Sequence, residues 1–97
     1  MNATRIFYDK AVLADGAIVE MTIWQLHQTT IERPPGLKYS LFFGRDGQRL
    51  VGYDNERGKG DHRHIGVLQT RYKFVSIEQL VADFLADVER INNEHDE

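Results

Sequence analysis

Ser76-Ile77-Glu78-Gln79-Leu80-Val81-Ala82-Asp83-Phe84-Leu85-Ala86-Asp87-Val88-Glu89-Arg90-Ile91 is the stretch on which the fold turns. Ser76 stands three residues before Gln79, a capping-box spacing, and Glu78 falls in the first turn, where the helix dipole favours an acid. Ile77, Leu80, Val81, Phe84, Leu85, Val88 and Ile91 then recur at helical spacing. The pattern predicts a helix over residues 76–91 with Asp83, Asp87 and Glu89 outside, followed by a frayed tail over 92–97. At about 1.5–3 kcal/mol for each buried side chain, this apolar stripe is the largest single contribution to a core that the chain offers. It needs a partner surface, and residues 1–75 must supply it.

Those residues read mostly as strands. Phe7, Ala11 and Leu13 alternate partly with Tyr8, Lys10 and Val12, and Asp15-Gly16 is a favoured hairpin dipeptide. Val19, Met21 and Ile23 keep a period of two, whereas Trp24 and Leu26 fall on the opposite parity, so either a bulge shifts the pattern or both faces are partly covered. Pro34-Pro35-Gly36 interrupts any ladder. Tyr39, Leu41 and Phe43 form a further strand, which Asp46-Gly47 turns into another through Leu50, Val51 and Tyr53. Residues 55–66 read as a loop, or a loop entering a strand, and 67–74 as strand-like. The expected architecture is one α+β domain over residues 1–97: an antiparallel sheet of four or five strands with one C-terminal amphipathic helix on one face. Aromatic and aliphatic side chains occur on both parities (Tyr8, Trp24 and Phe42 against Phe7, Ile23 and Phe43), more than one helix can cover. The uncovered face is therefore expected to meet a second copy or a protein partner.

Composition narrows the function classes. With 41% hydrophobic and 28% charged residues the chain is neither a disordered tail nor a coiled-coil rod, and the absence of cysteine removes disulfides, thiolate zinc sites and cysteine nucleophiles. No apolar run is long enough to span a bilayer, and Met1-Asn2-Ala3-Thr4-Arg5 is unlike a secretory signal, so a cytoplasmic protein is expected. The net charge of −3 conceals segregation: residues 1–32 carry −2, residues 33–73 carry +5 and residues 74–97 carry −6. A uniformly basic nucleic-acid binder is excluded; a locally basic surface is not.

Chemistry concentrates in Tyr53-Asp54-Asn55-Glu56-Arg57-Gly58-Lys59-Gly60-Asp61-His62-Arg63-His64. If the end of this segment is extended, His62 and His64 share a face and Arg63 points away. Two adjacent imidazoles suit proton transfer, one as base and one as acid. They also suit metal binding with Asp54 or Asp61 as a third ligand. They are equally at home as hydrogen-bonded or solvent-facing residues of a strand edge. Gly58 and Gly60 would let Lys59 and backbone N–H groups approach a phosphate, or simply supply a wide turn. No Gly-x-Ser-x-Gly, His-Glu-x-x-His or dinucleotide fingerprint occurs, which excludes serine hydrolases, zincins and Rossmann enzymes.

This segment resembles the TumE-type toxins of bacterial toxin–antitoxin systems. The likeness runs from Tyr39 to Phe43 and the Asp46-Gly47 turn, through Tyr53-Asp54-Asn55 and His62-Arg63-His64, to Tyr72-Lys73-Phe74 and the closing helix, about residues 38–91. Family members often carry a proline or more histidines where this chain has Glu56-Arg57-Gly58-Lys59-Gly60. The resemblance implies a growth-inhibiting toxin neutralised by a helix-turn-helix antitoxin from the neighbouring gene, and no settled chemistry. On the residues themselves the leading expectation is a metal-independent endoribonuclease without a cofactor. His62 and His64 serve as acid and base, Asp54 and Arg63 complete the catalytic set, and Lys59, Arg57, Tyr53 and Tyr72 contact the RNA. The competing expectation is a non-enzymatic protein-binding module, in which the basic middle and the acidic helix dock a partner, with homodimerisation open in either case.

Overall fold

The computed structural model describes residues 3–27, 36–56 and 59–95. Six strands form one antiparallel meander in sequence order: β1 (Ala3–Val12), β2 (Ile18–Leu26), β3 (Leu37–Arg45), β4 (Gln48–Asp54), β5 (His62–Ile65) and β6 (Leu68–Arg71). One helix, α1 (Ile77–His95), follows and packs on one face over β4. The class is α+β as expected, but the sheet has six strands rather than four or five. The extra element is β5, which forms at the end of the segment read as a loop or a loop entering a strand. Gly66 takes φ +59° and folds the chain back after Ile65, so His62–Ile65 and Leu68–Arg71 become a tight hairpin of two short strands.

The Asp-Gly dipeptides turn the chain where expected. Asp46 and Gly47 both have positive φ, +54° and +75°, the geometry whose twist matches that of the flanking strands. At the first turn Gly16 has φ +88°, and the Asp15 carboxylate accepts the Ala17 N–H at 3.0 Å. The off-parity Trp24 is not produced by a bulge in β2. The register shift lies instead in β1, between Arg5 and Phe7, and Trp24 simply faces away from the helix, paired with Arg5 on one side and Lys38 on the other. Of Pro34-Pro35-Gly36, both prolines lie outside the described residues; Gly36 takes φ +71°.

The core lies between the sheet and α1. Ile23, Phe43, Val51, Leu80 and Phe84 are fully buried, with Tyr39, Leu41, Tyr53 and Val88 beside them. The helix begins as its sequence dictates: the Gln79 N–H donates to Ser76 Oγ at 3.1 Å and the Leu80 N–H to the Ser76 carbonyl at 2.9 Å. The Gln79 side chain does not close a capping box; it donates to Asp83 at 2.7 Å. Residues 92–95 are helical rather than frayed, held by Arg45, which donates to Asn92 at 2.8 Å and to Asp15 at 3.0 Å. The apolar stripe is narrower than its seven members suggest, since Leu85 is exposed. The helix packs over β4, and along β1 Phe7 on its own side and Tyr8 and Val12 on the opposite side are all exposed, as is Ile6 at the register shift.

Candidate functional site

Antiparallel pairing sets residues directly opposite one another on the same face. On the face away from α1 this register makes continuous rows. One runs Tyr8, Thr22, Ser40, Asp54, His62, Arg71 from β1 to β6; the next runs Lys10, Glu20, Phe42, Gly52, His64, Gln69. Arg5, Trp24 and Lys38 form a shorter third row. His62 and His64 therefore share the open face as their spacing requires, with ring centroids 6.3 Å apart. Asp54 stands directly across from His62, and its Oδ2 lies 3.8 Å from Nε2 of His64. Gly52 has no side chain opposite His64, and the stem of Arg49 lies across the space that a Cβ there would fill. Burial, and after it the nearby Arg49 guanidinium, hold the His64 imidazolium pKa below its ordinary value against the opposing pull of Asp54.

The face beneath α1 carries a second polar cluster built on the residue between the two histidines. Arg63 stands opposite Tyr53 and donates to both carboxylate oxygens of Asp87, at 2.7 and 2.9 Å. The Tyr53 hydroxyl donates to Asp87 as well, and Arg63 Nε lies 3.0 Å from that hydroxyl. Burial alone would push the Asp87 carboxyl up, but the bonds from Arg63 and Tyr53 outweigh it and hold the group below the usual carboxylate range. Tyr72 packs edge-on against Tyr53 and donates to Asp83 at 2.6 Å. These groups line a recess of about 280 Å³.

The expected site residues thus divide between two surfaces. His62, His64 and Asp54 come together on the open face. Arg63 does not join them, because alternation along β5 turns it to the helix side, where Asp87 takes its charge. Tyr53 and Tyr72 lie on the helix side too, with buried or engaged rings and committed hydroxyls, so neither is free to stack on a base. Lys59 is exposed and pairs with Glu56 at 3.4 Å. Arg57 lies outside the described residues. Asp61, the alternative third metal ligand, accepts the Tyr39 hydroxyl at 2.6 Å. Among the described residues no group of three histidines and acids converges as a metal site. Asn55, the last member of the Tyr-Asp-Asn motif, is a brace: it accepts the Tyr39 N–H at 2.9 Å and donates to the Leu37 carbonyl at 2.7 Å.

Sequence reasoning misplaces one residue of these clusters and misses another. Asp87, expected outside the helix, is buried against Arg63. Arg49 carries no expected role, and strict alternation back from Val51 would point it toward the helix. A register shift between β3 and β4 pairs Gly44 with Arg49 and Phe43 with Val51, and this extra residue returns Arg49 to the open face. The inverted parity has one readable signal: Arg49 opens an Arg-Leu-Val-Gly run whose Gly52 leaves room for a long side chain.

The fold and the paired faces define a small α+β protein with an imidazole–carboxylate–guanidinium group on the sheet face away from its helix. The family model described as Toxin TumE matches residues 2–92, nearly the whole chain. The chain belongs to the TumE toxin family, and so to the toxins of toxin–antitoxin systems, which work against an antitoxin partner. Comparisons with curated proteins and with solved structures give no significant match. No helix among the described residues is long and apolar enough to cross a membrane.

Proposed function

We propose that this toxin is a metal-independent endoribonuclease whose reacting groups stand on the open face of the sheet. The observation that carries the reading is the convergence of His62, His64, Asp54 and Arg49 there. His64, kept neutral by its surroundings, takes the proton of a ribose 2′-hydroxyl as that oxygen attacks the adjacent phosphorus. His62 gives a proton to the departing 5′-oxygen, leaving a 2′,3′-cyclic phosphate and a free 5′-hydroxyl. Asp54 orients the imidazoles, and Arg49 offsets the charge that gathers on the phosphorane oxygens. Charge separation by face supports the same reading in a chain that is acidic overall. The open face bears Arg5, Lys10, Lys38, Arg49 and Arg71 against Glu20, Asp54 and, at its rim, Glu56, while α1 carries five acids against one arginine. In this reading the toxin acts in the bacterial cytoplasm, and its antitoxin is a helix-turn-helix protein from the adjacent gene.

The test is the His62→Ala/His64→Ala double variant. Its toxicity and its RNA cleavage should fall on the order of 10²–10⁴-fold, with circular dichroism, melting temperature and antitoxin binding unchanged. Cleavage by the parent should persist in a strong chelator. Growth inhibition equal to that of the parent at equal abundance would sink the proposal. The long edge strand β1, exposed along nearly its whole length, favours a second reading, a toxin that acts or dimerises by docking proteins there. Toxicity that survives loss of both histidines but not changes in β1 would select it.

A further inference from the structure

We infer that Trp24 and Lys38 form a stacking-and-phosphate subsite that seats an unpaired nucleotide of single-stranded RNA beside the histidine pair. The inference rests on the ribonuclease reading and supplies what that reading lacks, since Tyr53 and Tyr72 are turned away from the open face. Trp24 and Lys38 are direct cross-strand partners on this face, and the Lys38 ammonium sits 5.1 Å from the indole centroid. A base stacked on the indole would therefore bring its phosphate to a cation already held nearby. A groove of about 400 Å³ lined by Trp24, Lys38, Ser40, Asp54 and Glu56 joins this pair to the carboxylate that lies 3.8 Å from His64. Glu56 at its rim is partly neutralised by Lys59. With neighbouring strands roughly 4.8 Å apart, β2 lies about 10 Å from β4 and about 14 Å from β5. That span suits a nucleotide adjacent to the cleaved bond rather than the one being cleaved. Every base has a π-face, so the subsite selects unpaired over paired RNA and carries little sequence preference.

Trp24 is the sole tryptophan of the chain, so its fluorescence reports on the subsite without any label. The His62→Ala/His64→Ala protein, which would leave RNA intact, is titrated with a mixed-sequence RNA of about 12 nucleotides, single-stranded or annealed to its complement. The expected result is saturable quenching by the single strand and little by the duplex. In the same background Trp24→Leu should weaken binding, read by polarisation of end-labelled RNA, about 5- to 100-fold. Lys38→Ala should reduce the slope of log affinity against log salt by about 0.7. Equal quenching by duplex, or unchanged affinity in Trp24→Leu, overturns the subsite. Because the quench is read with Trp24 in place, a Trp24→Leu protein that folds poorly leaves it decisive. Cleavage by the parent is scored separately. Cleavage that needs the histidines but ignores Trp24 overturns the subsite and leaves the ribonuclease; Trp24-dependent binding without cleavage overturns the ribonuclease and leaves the subsite.

Discussion

Strand β5 serves two surfaces with three consecutive residues. His62 and His64 lie on the cation-rich sheet face away from the helix, and Arg63 between them is tied by two hydrogen bonds to Asp87 of the helix. The two polar clusters differ in how completely their groups are spent. On the helix side, Arg63, Tyr53 and Asp87 satisfy one another, and no buried side-chain polar atom among the described residues lacks a partner. On the open side, the nearest approach of His64 to Asp54, 3.8 Å, is too long for a hydrogen bond, so both groups keep capacity for a ligand. Spent polar groups hold a fold together; unspent ones on an accessible face are available for chemistry. The helix side should therefore govern stability and the open side activity.

The strongest blow to that division should fall on the helix side. Phe84 is fully buried and packs edge-on against Tyr53, so Phe84→Ala should cost about 3–5 kcal/mol in urea unfolding. A loss under about 1 kcal/mol would mean that the helix interface does not hold the fold. Next comes Asp87→Ala, expected to cost about 2–4 kcal/mol because it leaves a partly buried guanidinium without its carboxylate. The lower figure allows for the 31% exposure of the Arg63 side chain, which lets water replace part of the lost pairing. If Asp87→Ala were instead neutral for stability but abolished toxicity, the two faces would have to exchange roles, and the recess beside Tyr72 would become the site.

How much of this division was legible depends on the range of the interaction involved. The spacing of Leu80, Phe84 and Val88 foretold the buried stripe, because a helix period is a local property that sequence displays directly. So did the alternation that set His62 and His64 on one face, and the Asp46-Gly47 turn. Asp87 was misread because its partner lies 24 residues away and acts only once the helix has docked. On the helix alone it looks like one more solvated acid. Arg49 is missed because one extra residue in the β3–β4 pairing inverts parity, and the bare Gly52 is a faint compositional mark of it. The strands β5 and β6, four residues each, are too short for an apolar period to mark them as two separate strands. Grouping Tyr53 with the histidines failed for a related reason. Its cross-strand partner is Arg63 rather than His62, and register is fixed by the turn geometry of the whole meander.

The smallest effect is also the most selective, because it separates the faces by pH. The surroundings of His64 hold its folded-state pKa below the 6.5 of an ordinary histidine, chiefly through burial and then through Arg49, with His62 and Lys59 adding to the effect and Asp54 opposing it. An unfolded chain takes up that proton near pH 6.5 while the folded protein still refuses it. The stabilising effect of a neutral His64 is therefore complete above about pH 6.5 and is lost as pH falls through the lower folded value. Asp87 is also depressed, but from 3.8, so its contribution stays complete down to that much more acidic value. Stability measured by urea unfolding at successive pH values should thus decline first just below pH 6.5. His64→Gln should remove that first decline and leave the acid limb intact, and Asp87→Asn should do the reverse. The acid limb of RNA cleavage should follow the folded-state titration of His64, below the pH at which stability first declines, since a protonated His64 cannot accept the 2′-hydroxyl proton. A first limb that survives in His64→Gln would assign it to another group and remove the physical reason for casting His64 as the base.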